Sequence, residues 1–465
     1  MTRYPAQAHD APVADLEALA RGAGSGGLAS VTVEVELPDP SAAVFASRLA
    51  GDRWFCWEQA DRGGFALAAL GSALDAVSRG PDRFGDVARR IADITRARAA
   101  LEPDDLPAGA GPVWVGGFAF DPEGGRSPQW SSFPPAQLTL PELSLVRQGG
   151  RTLLTLCLVA GAGADDRLER IRARVASLRA ASLPLADPHP SGRVRIASAA
   201  PPHRFEAAVA ASVERIRAGT LDKVVLAREV VAAAPKAHDA AALFGTMRGL
   251  FDSCFCFCVG TPEAAFCGAS PELLVRRSGA VAATVALAGS TRRSADPAVD
   301  DHLGERLLRS AKDRSEHEIV ARRIARVLRR HSIWVSSESE PQLVRVANIQ
   351  HLATPIHAQL AEARSAIELA GLLHPTPAVG GEPRDAALRT IAELEGMDRG
   401  WYAGPLGWMD ASEDGEFCVA LRSTLLRDRF AHLYAGAGIV ADSDPEAELA
   451  ETELKLDALL PLLSG

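Results

Sequence analysis

Lysine is rare in this chain, and the few positions that keep it are the first candidates for chemistry. Among the 50 Lys and Arg residues, only Lys223, Lys236, Lys312 and Lys455 are lysine. Arginine is effectively always charged, whereas a desolvated lysine can lose its proton and act as a base. Because Lys223 begins the apolar, strand-like stretch KVVLAREVV, it is a candidate general base. The alternative is a lysine whose ammonium group reaches solvent from a strand end.

Two glutamates stand where a carboxylate could meet a buried surface. Glu272 follows Pro271 at the start of a predicted strand, although a turn glutamate ordinarily faces solvent. Glu316, in KDRSEHEIVARRIARVL, lies near the helical direction of Ile319 and Val320, which should face the core. A carboxylate beside a buried stripe needs a cation or a metal as partner. A first-turn glutamate that interacts with the helix dipole is the alternative for Glu316.

The C-terminal segment 445–460 predicts a helix that carries two carboxylates and a lysine on one face. Glu448, Glu451 and Lys455 are spaced i, i+3 and i+7, which places them within roughly 60° of arc. Together with Glu316, the two carboxylates suit a hard divalent cation such as Mg²⁺. The alternative is a Glu451–Lys455 pair on the surface, which would contribute only a few tenths of a kcal/mol.

Three further segments could bind an anion. Arg422 lies in the strand-like stretch EFCVALRSTLL, and an arginine there could clamp a carboxylate. Gly436 in YAGAGIV, and Gly289 with Ser290 in ALAGSTRR, could let backbone N–H groups approach the same ligand. Simple turns are the alternative for both glycine segments.

Composition excludes several classes of protein. A net charge of −9 and a pI near 5.7 argue against a nucleic-acid binder. We see no signal peptide and no apolar run near the roughly 20 residues that span a bilayer, so we expect a soluble, cytoplasmic protein without a membrane segment. Cys254, Cys256 and Cys258 alternate along one strand, which favours buried, reduced thiols over a zinc site.

The elements that must position these residues are strands and helices in irregular order. We predict a mobile segment over 1–27 and one domain over 28–465, divided into 28–181, a linker over 182–203 and a motif-bearing portion over 204–465. The main predicted elements after the linker are strands at 254–259, 272–276, 282–288, 416–425 and 432–435, and helices at 300–330, 365–373, 383–394 and 445–460. Without regular β-α alternation or a G-x-G-x-x-G motif, the pattern favours an α+β or layered α/β sandwich.

Taken together, the segments resemble the chorismate-utilising enzymes. The matching stretches, in family order from Leu221 to Leu456, are LDKVVLAR, GASPELL, ALAGSTRR, KDRSEHEIV, HLATPI, LLHPTPAVGGEPRDAAL, DRGWYAGPLGW, VALRSTLL, YAGAGIV and ELAETELKL. The resemblance implies a single chorismate-binding fold, in which two sheets face each other with helices outside and the active site lies between the sheets.

The resemblance also implies roles for individual residues. Lys223 would be the general base of members that add water, and Glu272 the general acid that protonates the departing hydroxyl. Glu316 and Glu451, with Glu448 nearby, would hold the Mg²⁺ that binds the ring carboxylate. Arg422, Lys455 and the Gly436 backbone resemble a clamp for the enolpyruvyl carboxylate, and the remaining pocket positions are Gly289, Ser290, His351, Ala378, Val379 and Tyr402.

The implied activity is that of an isochorismate synthase, which converts chorismate to isochorismate by Mg²⁺-dependent addition of water at C2 with loss of the C4 hydroxyl. A salicylate synthase, which goes on to eliminate pyruvate, is the nearest alternative. Lys223 argues against an ammonia-dependent synthase, which resembles this pattern but carries glutamine there. A non-catalytic paralogue is the alternative of another class. The family expectation is a monomer, with a downstream enzyme that consumes isochorismate for menaquinone, a siderophore or salicylate.

Overall fold

Strands dominate the structure. The computed structural model describes residues 10–185, 192–346 and 349–464. Within these ranges the strands are β1 Leu28–Val35, β2 Trp54–Gln59, β3 Phe65–Leu70, β4 Leu74–Ser78, β5 Ala99–Leu101, β6 Val113–Phe118, β7 Ala136–Leu140, β8 Leu143–Gln148, β9 Arg151–Val159, β10 Arg195–Ser198, β11 Lys223–Ala233, β12 Phe255–Gly260, β13 Ala265–Ser270, β14 Leu273–Ser278, β15 Val281–Arg292, β16 Ser332–Ser337, β17 Gln342–Val346, β18 Ile349–Leu360, β19 Gly381–Glu382, β20 Pro405–Asp410, β21 Gly415–Val419, β22 Ser423–Arg427 and β23 Phe430–Ile439.

The helices follow from amphipathic stripes and N-terminal caps. Phe205, Val209, Val213 and Ile216 form such a stripe on α5, and all four are buried. The helices are α1 Asp10–Gly22, α2 Pro40–Ser47, α3 Arg83–Arg96, α4 Ala164–Ser177, α5 Pro202–Arg217, α6 Ala240–Leu250, α7 Pro297–Arg309, α8 Ala311–Arg329, α9 Ala366–Leu373, α10 Arg384–Leu394, α11 Pro445–Leu456 and α12 Leu460–Ser464. None of them is long and apolar enough to cross a bilayer, in the part of the chain that is described.

The strands form two sheets. The larger sheet runs in the order β10-β11-β23-β22-β13-β12-β2-β3-β8-β9-β1-β5, with β19 paired to β11. The smaller sheet runs β16-β18-β15-β14-β21-β20-β6-β7-β4, with β17 paired to β18. Strands from before and after the predicted linker therefore meet in both sheets, where β2 pairs with β12 and β6 pairs with β20.

The main hydrophobic core lies between the two sheets. The rings of Phe65 on β3 and Trp408 on β20 stack across this space with centroids 5.6 Å apart. A second core covers the outer face of the larger sheet, where α1, α2, α4 and α6 pack. Cys254, Cys256 and Cys258 belong to this second core as buried free thiols, as the alternation predicted. The predicted α/β sandwich is confirmed.

Two segments expected to lack structure contain regular elements. The prediction of a mobile segment over 1–27 is wrong for Asp10–Gly22, because α1 packs on β1 and β9 and buries Val13 and Leu16. Residues 1–9 lie outside the described residues. In the predicted linker 182–203, β10 pairs with β11, whereas residues 186–191 lie outside the described residues.

Two predicted elements are each divided in the structure. The strand predicted over 416–425 is two strands, β21 in the smaller sheet and β22 in the larger one, because the chain crosses between the sheets at residues 420–422. The helix predicted over 300–330 is α7 and α8, which meet at Ser310, whose side chain caps α8 by accepting from the Asp313 backbone N–H. The last predicted helix ends at Leu456 instead of 460.

Candidate active site

A cavity of about 930 Å³, a volume that includes space open to solvent at its mouth, lies where β11 and β23 of the larger sheet face β15 and β18 of the smaller one. α8 and α11 border one end of it. Of the fourteen residues proposed from the sequence, the cavity lining includes twelve, namely Glu272, Gly289, Ser290, Glu316, His351, Ala378, Val379, Tyr402, Arg422, Gly436, Glu451 and Lys455. The other two, Lys223 and Glu448, lie just behind the lining, and each contacts a residue that belongs to it.

Lys223 is fully buried, which excludes a lysine that reaches solvent. Its Nζ forms an ion pair with Glu316 Oε1 at 2.8 Å and makes no hydrogen bond to any other described residue. Gly438 lies on β23, opposite Val225 of the neighbouring strand β11, and because it has no side chain it leaves room for the Lys223–Glu316 pair. A Cβ at position 438 would overlap Glu316 Oε1 and would approach Lys223 Cε to 3.1 Å.

Glu272 is buried at the start of β14, so it is not a solvent-facing turn residue. Burial raises its pKa to about 8, against the positive charges of Lys223 and Lys455, which lower it. The backbone fixes the position, since its N–H donates to Ser270 Oγ and its carbonyl accepts from the Val419 N–H. At neutral pH the carboxyl group is mainly protonated and can donate a proton.

Gly289 forms a β-bulge that directs Ser290 towards α11. The register between β15 and β18 shifts at this point, and Gly289 adopts a φ of +74°, which glycine accommodates without strain. A Cβ there would approach Asp313 Cβ to 3.1 Å. Beyond the bulge, Ser290 Oγ donates to Glu451 Oε1 at 3.3 Å. Through this hydrogen bond, the ALAGSTRR motif of the smaller sheet contacts the Glu451 carboxylate on α11.

Three of the four lysines of the chain pair with the three carboxylates proposed as metal ligands. Besides the Lys223–Glu316 pair, Lys312 Nζ lies 3.1 Å from Glu448 Oε1. Lys455 Nζ lies 2.8 Å from Glu451 Oε1 and donates to the Gly436 carbonyl at 2.8 Å. The face of α11 predicted from the i, i+3, i+7 spacing therefore points to the cavity region.

The carboxylate oxygens of these three glutamates are of the type that binds a hard cation, although each carboxylate pairs with a lysine. In the described ranges, no group of three or more His, Cys, Asp or Glu side chains is arranged to hold a metal ion. Glu448 is 2% exposed, and its Oε2 makes no hydrogen bond of standard geometry in the described structure, although the Ser443 side chain interacts with the carboxylate and lowers its pKa. Burial and the negative charge of Glu451 raise the pKa of Glu448. Carboxylate oxygens are ligands that Mg²⁺ prefers.

Arg422 supplies a positive charge that no carboxylate neutralises within the described residues. It follows β21 with a φ of +45°, in the segment that crosses between the sheets. Its Nη2 lies 2.9 Å from His351 Nε2, and its buried Nη1 has no hydrogen-bond partner in the described part of the chain. Burial and the charges of Arg422 and Lys455 lower the pKa of His351 well below its usual value, so the neutral imidazole accepts from Arg422. The free side of the guanidinium suits a carboxylate.

The sequence assigned no role to three polar residues of the lining, Lys312, Asp313 and Tyr434. Asp313 lies one turn before Glu316 on α8, so helical spacing could have identified it. Tyr434 alternates with Gly436 on β23 and stacks on Tyr402 with ring centroids 5.2 Å apart. Burial raises the pKa of both tyrosines, which therefore stay neutral and form a wall of the cavity.

Comparison with known proteins agrees with this geometry. A family model described as "Chorismate binding enzyme" matches residues 15–464. The chain is 39% identical to the salicylate biosynthesis isochorismate synthase of Pseudomonas aeruginosa, over 88% of this chain and 84% of that protein. It is 33% identical to the isochorismate synthase MenF of Bacillus subtilis, over 90% and 89% of the two chains. The solved structure of MenF, the menaquinone-specific isochorismate synthase from Escherichia coli, matches with a TM-score of 0.80 at 28% identity, covering 98% of this chain and 100% of that one. The chain therefore belongs to the chorismate-binding enzymes.

Proposed function

We propose that this protein is an isochorismate synthase, which converts chorismate to isochorismate. The observation that carries the proposal is the combination of a fully buried amine, Lys223, and a carboxyl group with a pKa of about 8, Glu272, beside one cavity. A base and an acid of this kind at one site suit a reaction that takes a proton from one atom and gives a proton to another. The similar proteins named as isochorismate synthases support the same assignment.

In the proposed reaction, Lys223 in its neutral form accepts a proton from a water molecule whose oxygen bonds to C2 of the ring. The ring double bonds shift, and the bond between C4 and its hydroxyl oxygen breaks. Glu272 donates its proton to this oxygen, which leaves as water. One water enters and one leaves, so chorismate and its product are isomers, and a proton passed from Lys223 to Glu272 would reset both groups.

The substrate carries two carboxylates, and the cavity offers positive groups for both. Arg422, with its unpaired Nη1, and Lys455 are suited to clamp the enolpyruvyl carboxylate. Glu316, Glu451 and Glu448 are the residues that would hold Mg²⁺, which when bound would supply positive charge to the ring carboxylate. Tyr402, with Ala378 and Val379, would form the wall against the ring.

The test is to incubate the purified protein with chorismate and Mg²⁺ and to separate the products by chromatography. We expect isochorismate as the product, and no product in the presence of a chelator. Salicylate with pyruvate would instead identify a salicylate synthase, and unreacted chorismate would contradict the assignment. Replacement of Glu451 by Gln should abolish the Mg²⁺-dependent activity, whereas an unchanged metal dependence would move the metal site elsewhere. A cytoplasmic monomer stays a prediction, to be checked by cell fractionation and size-exclusion chromatography.

A further inference from the structure

Lys312 lines the cavity, but the proposed reaction gives it no role. It lies in the first turn of α8, and its ammonium group is 3.1 Å from Glu448 Oε1 on α11. The negative charges of Glu451 and Glu316 act on the same ammonium group. One side chain therefore stands among all three carboxylates that are proposed to hold the metal.

The Lys312–Glu448 pair differs from an ordinary surface salt bridge because its glutamate is buried. The Lys312 side chain is 40% exposed, but that of Glu448 is 2% exposed. A surface pair contributes little, because water solvates both charges when the pair is broken. Glu448 has no such access to water, so its charge requires a cation nearby. The available cations are the ammonium group of Lys312 or a metal ion.

We propose that Lys312 is an internal counter-ion that neutralises Glu448 while Mg²⁺ is absent and that competes with Mg²⁺ for this carboxylate. This inference rests on the proposed metal role of Glu448. Binding of the metal then exchanges a tethered single charge for a double charge, and the affinity for Mg²⁺ in the free enzyme is weaker than the carboxylates alone would give.

The position of Lys312 at the exposed side of the cluster suits this exchange. Because its side chain is 40% exposed, the ammonium group can move into water when the metal takes Glu448, which keeps the cost of displacement small. Lys223 could not act in this way, because it is fully buried and has no solvent to enter. The two lysines are therefore suited to different tasks, one as a fixed reactive group and one as a displaceable charge.

The test measures the dissociation constant of Mg²⁺ by isothermal titration calorimetry without substrate, at fixed ionic strength. Lys312→Met should bind Mg²⁺ at least threefold more tightly than the unchanged protein, and Lys312→Arg, which keeps the charge, should stay close to it. Lys236→Met is the matched control, because Lys236 is exposed and lies outside the cavity lining. It removes the same charge and should leave the affinity unchanged.

A double-mutant cycle separates the Lys312–Glu448 pair from a general change in charge. In a Glu448→Gln background, Lys312→Met should raise the affinity by clearly less, because only the weaker interactions of Lys312 with Glu451 and Glu316 then remain to be lost. An affinity that is equal or weaker in Lys312→Met overturns the proposal, as does the same gain in Lys236→Met or in the Glu448→Gln background. If Lys312→Met fails to fold, Lys312→Gln replaces it, with folding checked by circular dichroism.

The proposed activity and the counter-ion role can fail separately. If neither the unchanged protein nor Lys312→Met binds Mg²⁺, the exchange is refuted, while product chromatography still decides whether the protein makes isochorismate. If only Lys312→Met binds Mg²⁺ without substrate, the exchange is supported in its strongest form.

Discussion

The guanidinium of Arg422 and the imidazole of His351 contact each other at 2.9 Å, with the imidazole as the acceptor. This contact holds Arg422, which lies in the crossing between the sheets, against β18 of the smaller sheet. Because the pKa of His351 is lowered well below its usual value, the ring does not add a competing positive charge at working pH. The geometry keeps Nη1 available for a carboxylate.

Loss of the acceptor at position 351 should weaken substrate binding. We expect His351→Leu to raise KM for chorismate by about tenfold, with a smaller effect on kcat, because the guanidinium loses its fixed orientation. His351→Gln, which retains an acceptor oxygen, should recover part of the loss. His357→Gln is the control, since His357 is exposed on the same strand. Steady-state kinetics measure KM and kcat for these variants. An effect on kcat alone would contradict the role of His351 in positioning Arg422.

Replacement of Lys223 by Arg should abolish turnover although it preserves the charge. Arginine cannot accept a proton at physiological pH, and loss of a general base typically costs about 100-fold to 10,000-fold in rate. The matched control is Lys236→Arg, which should leave kcat unchanged. Circular dichroism and the melting temperature must show that the larger side chain has not unfolded the buried site. Near-normal turnover in Lys223→Arg would remove Lys223 from the mechanism.

The activity should decline as the pH rises through about 8, because Glu272 must be protonated to donate a proton. The pH dependence of kcat/KM for chorismate measures this directly. In Glu272→Asp, a shorter carboxyl group would keep some activity with a displaced alkaline limb, whereas Glu272→Gln should be inactive at every pH. An unchanged alkaline limb in Glu272→Asp would assign the titration to another group.

Glu272 should also make the stability of the protein fall as the pH rises. Its pKa is about 8 in the folded state and 4.5 as the ordinary value, so the folded state binds more protons than the unfolded state between these pH values. The full stability is present below about pH 4.5 and falls as the pH rises to about 8, by which point the loss amounts to about 5 kcal/mol at most. Urea unfolding should therefore show Glu272→Gln gaining stability relative to the unchanged protein as the pH is raised. A pH-independent difference would contradict the raised pKa.

Gly438→Ala should uncouple Lys223 from Glu316 without unfolding the protein. The added Cβ would overlap the Glu316 carboxylate, which is the end of a flexible side chain and can move away. We expect weaker Mg²⁺ binding and lower kcat, with only a modest change in melting temperature. Gly249→Ala is the control, because no atom lies within 4 Å of a Cβ at that position. Unchanged metal affinity in Gly438→Ala would show that Glu316 does not need its present position.

Local sequence predicted the parts of the site that depend on spacing within one element. The i, i+3, i+7 pattern on α11 oriented Glu451 and Lys455 correctly, and the rarity of lysine identified Lys223. It did not reveal that Lys312 pairs with Glu448, because the two residues are 136 positions apart and meet only through packing. The α1 helix was not predicted because the Ala- and Gly-rich composition of residues 1–27 outweighed the helical spacing of Val13, Leu16 and Leu19, which pack on the second core.

The crossing at Arg422 could not be predicted for a different reason. Both flanking segments have the residues of strands, and nothing between them, such as glycine or proline, marks a break. Only the tertiary structure shows that one strand pairs with β14 and the next with β13. A positive φ at a non-glycine residue is uncommon, and here it occurs where the chain changes sheets at the cavity.

Every residue that lines the cavity comes from position 225 or later, yet the first 160 residues are joined to this portion by β2 on β12 and β6 on β20. Without those partners, β12 and β20 would each present a row of unsatisfied N–H and C=O groups to solvent. The N-terminal portion therefore pairs with both of these strands and keeps their backbone groups from pairing with other molecules. A shortened protein that lacked the N-terminal portion but kept the whole cavity would be prone to aggregate through the exposed edges of β12 and β20.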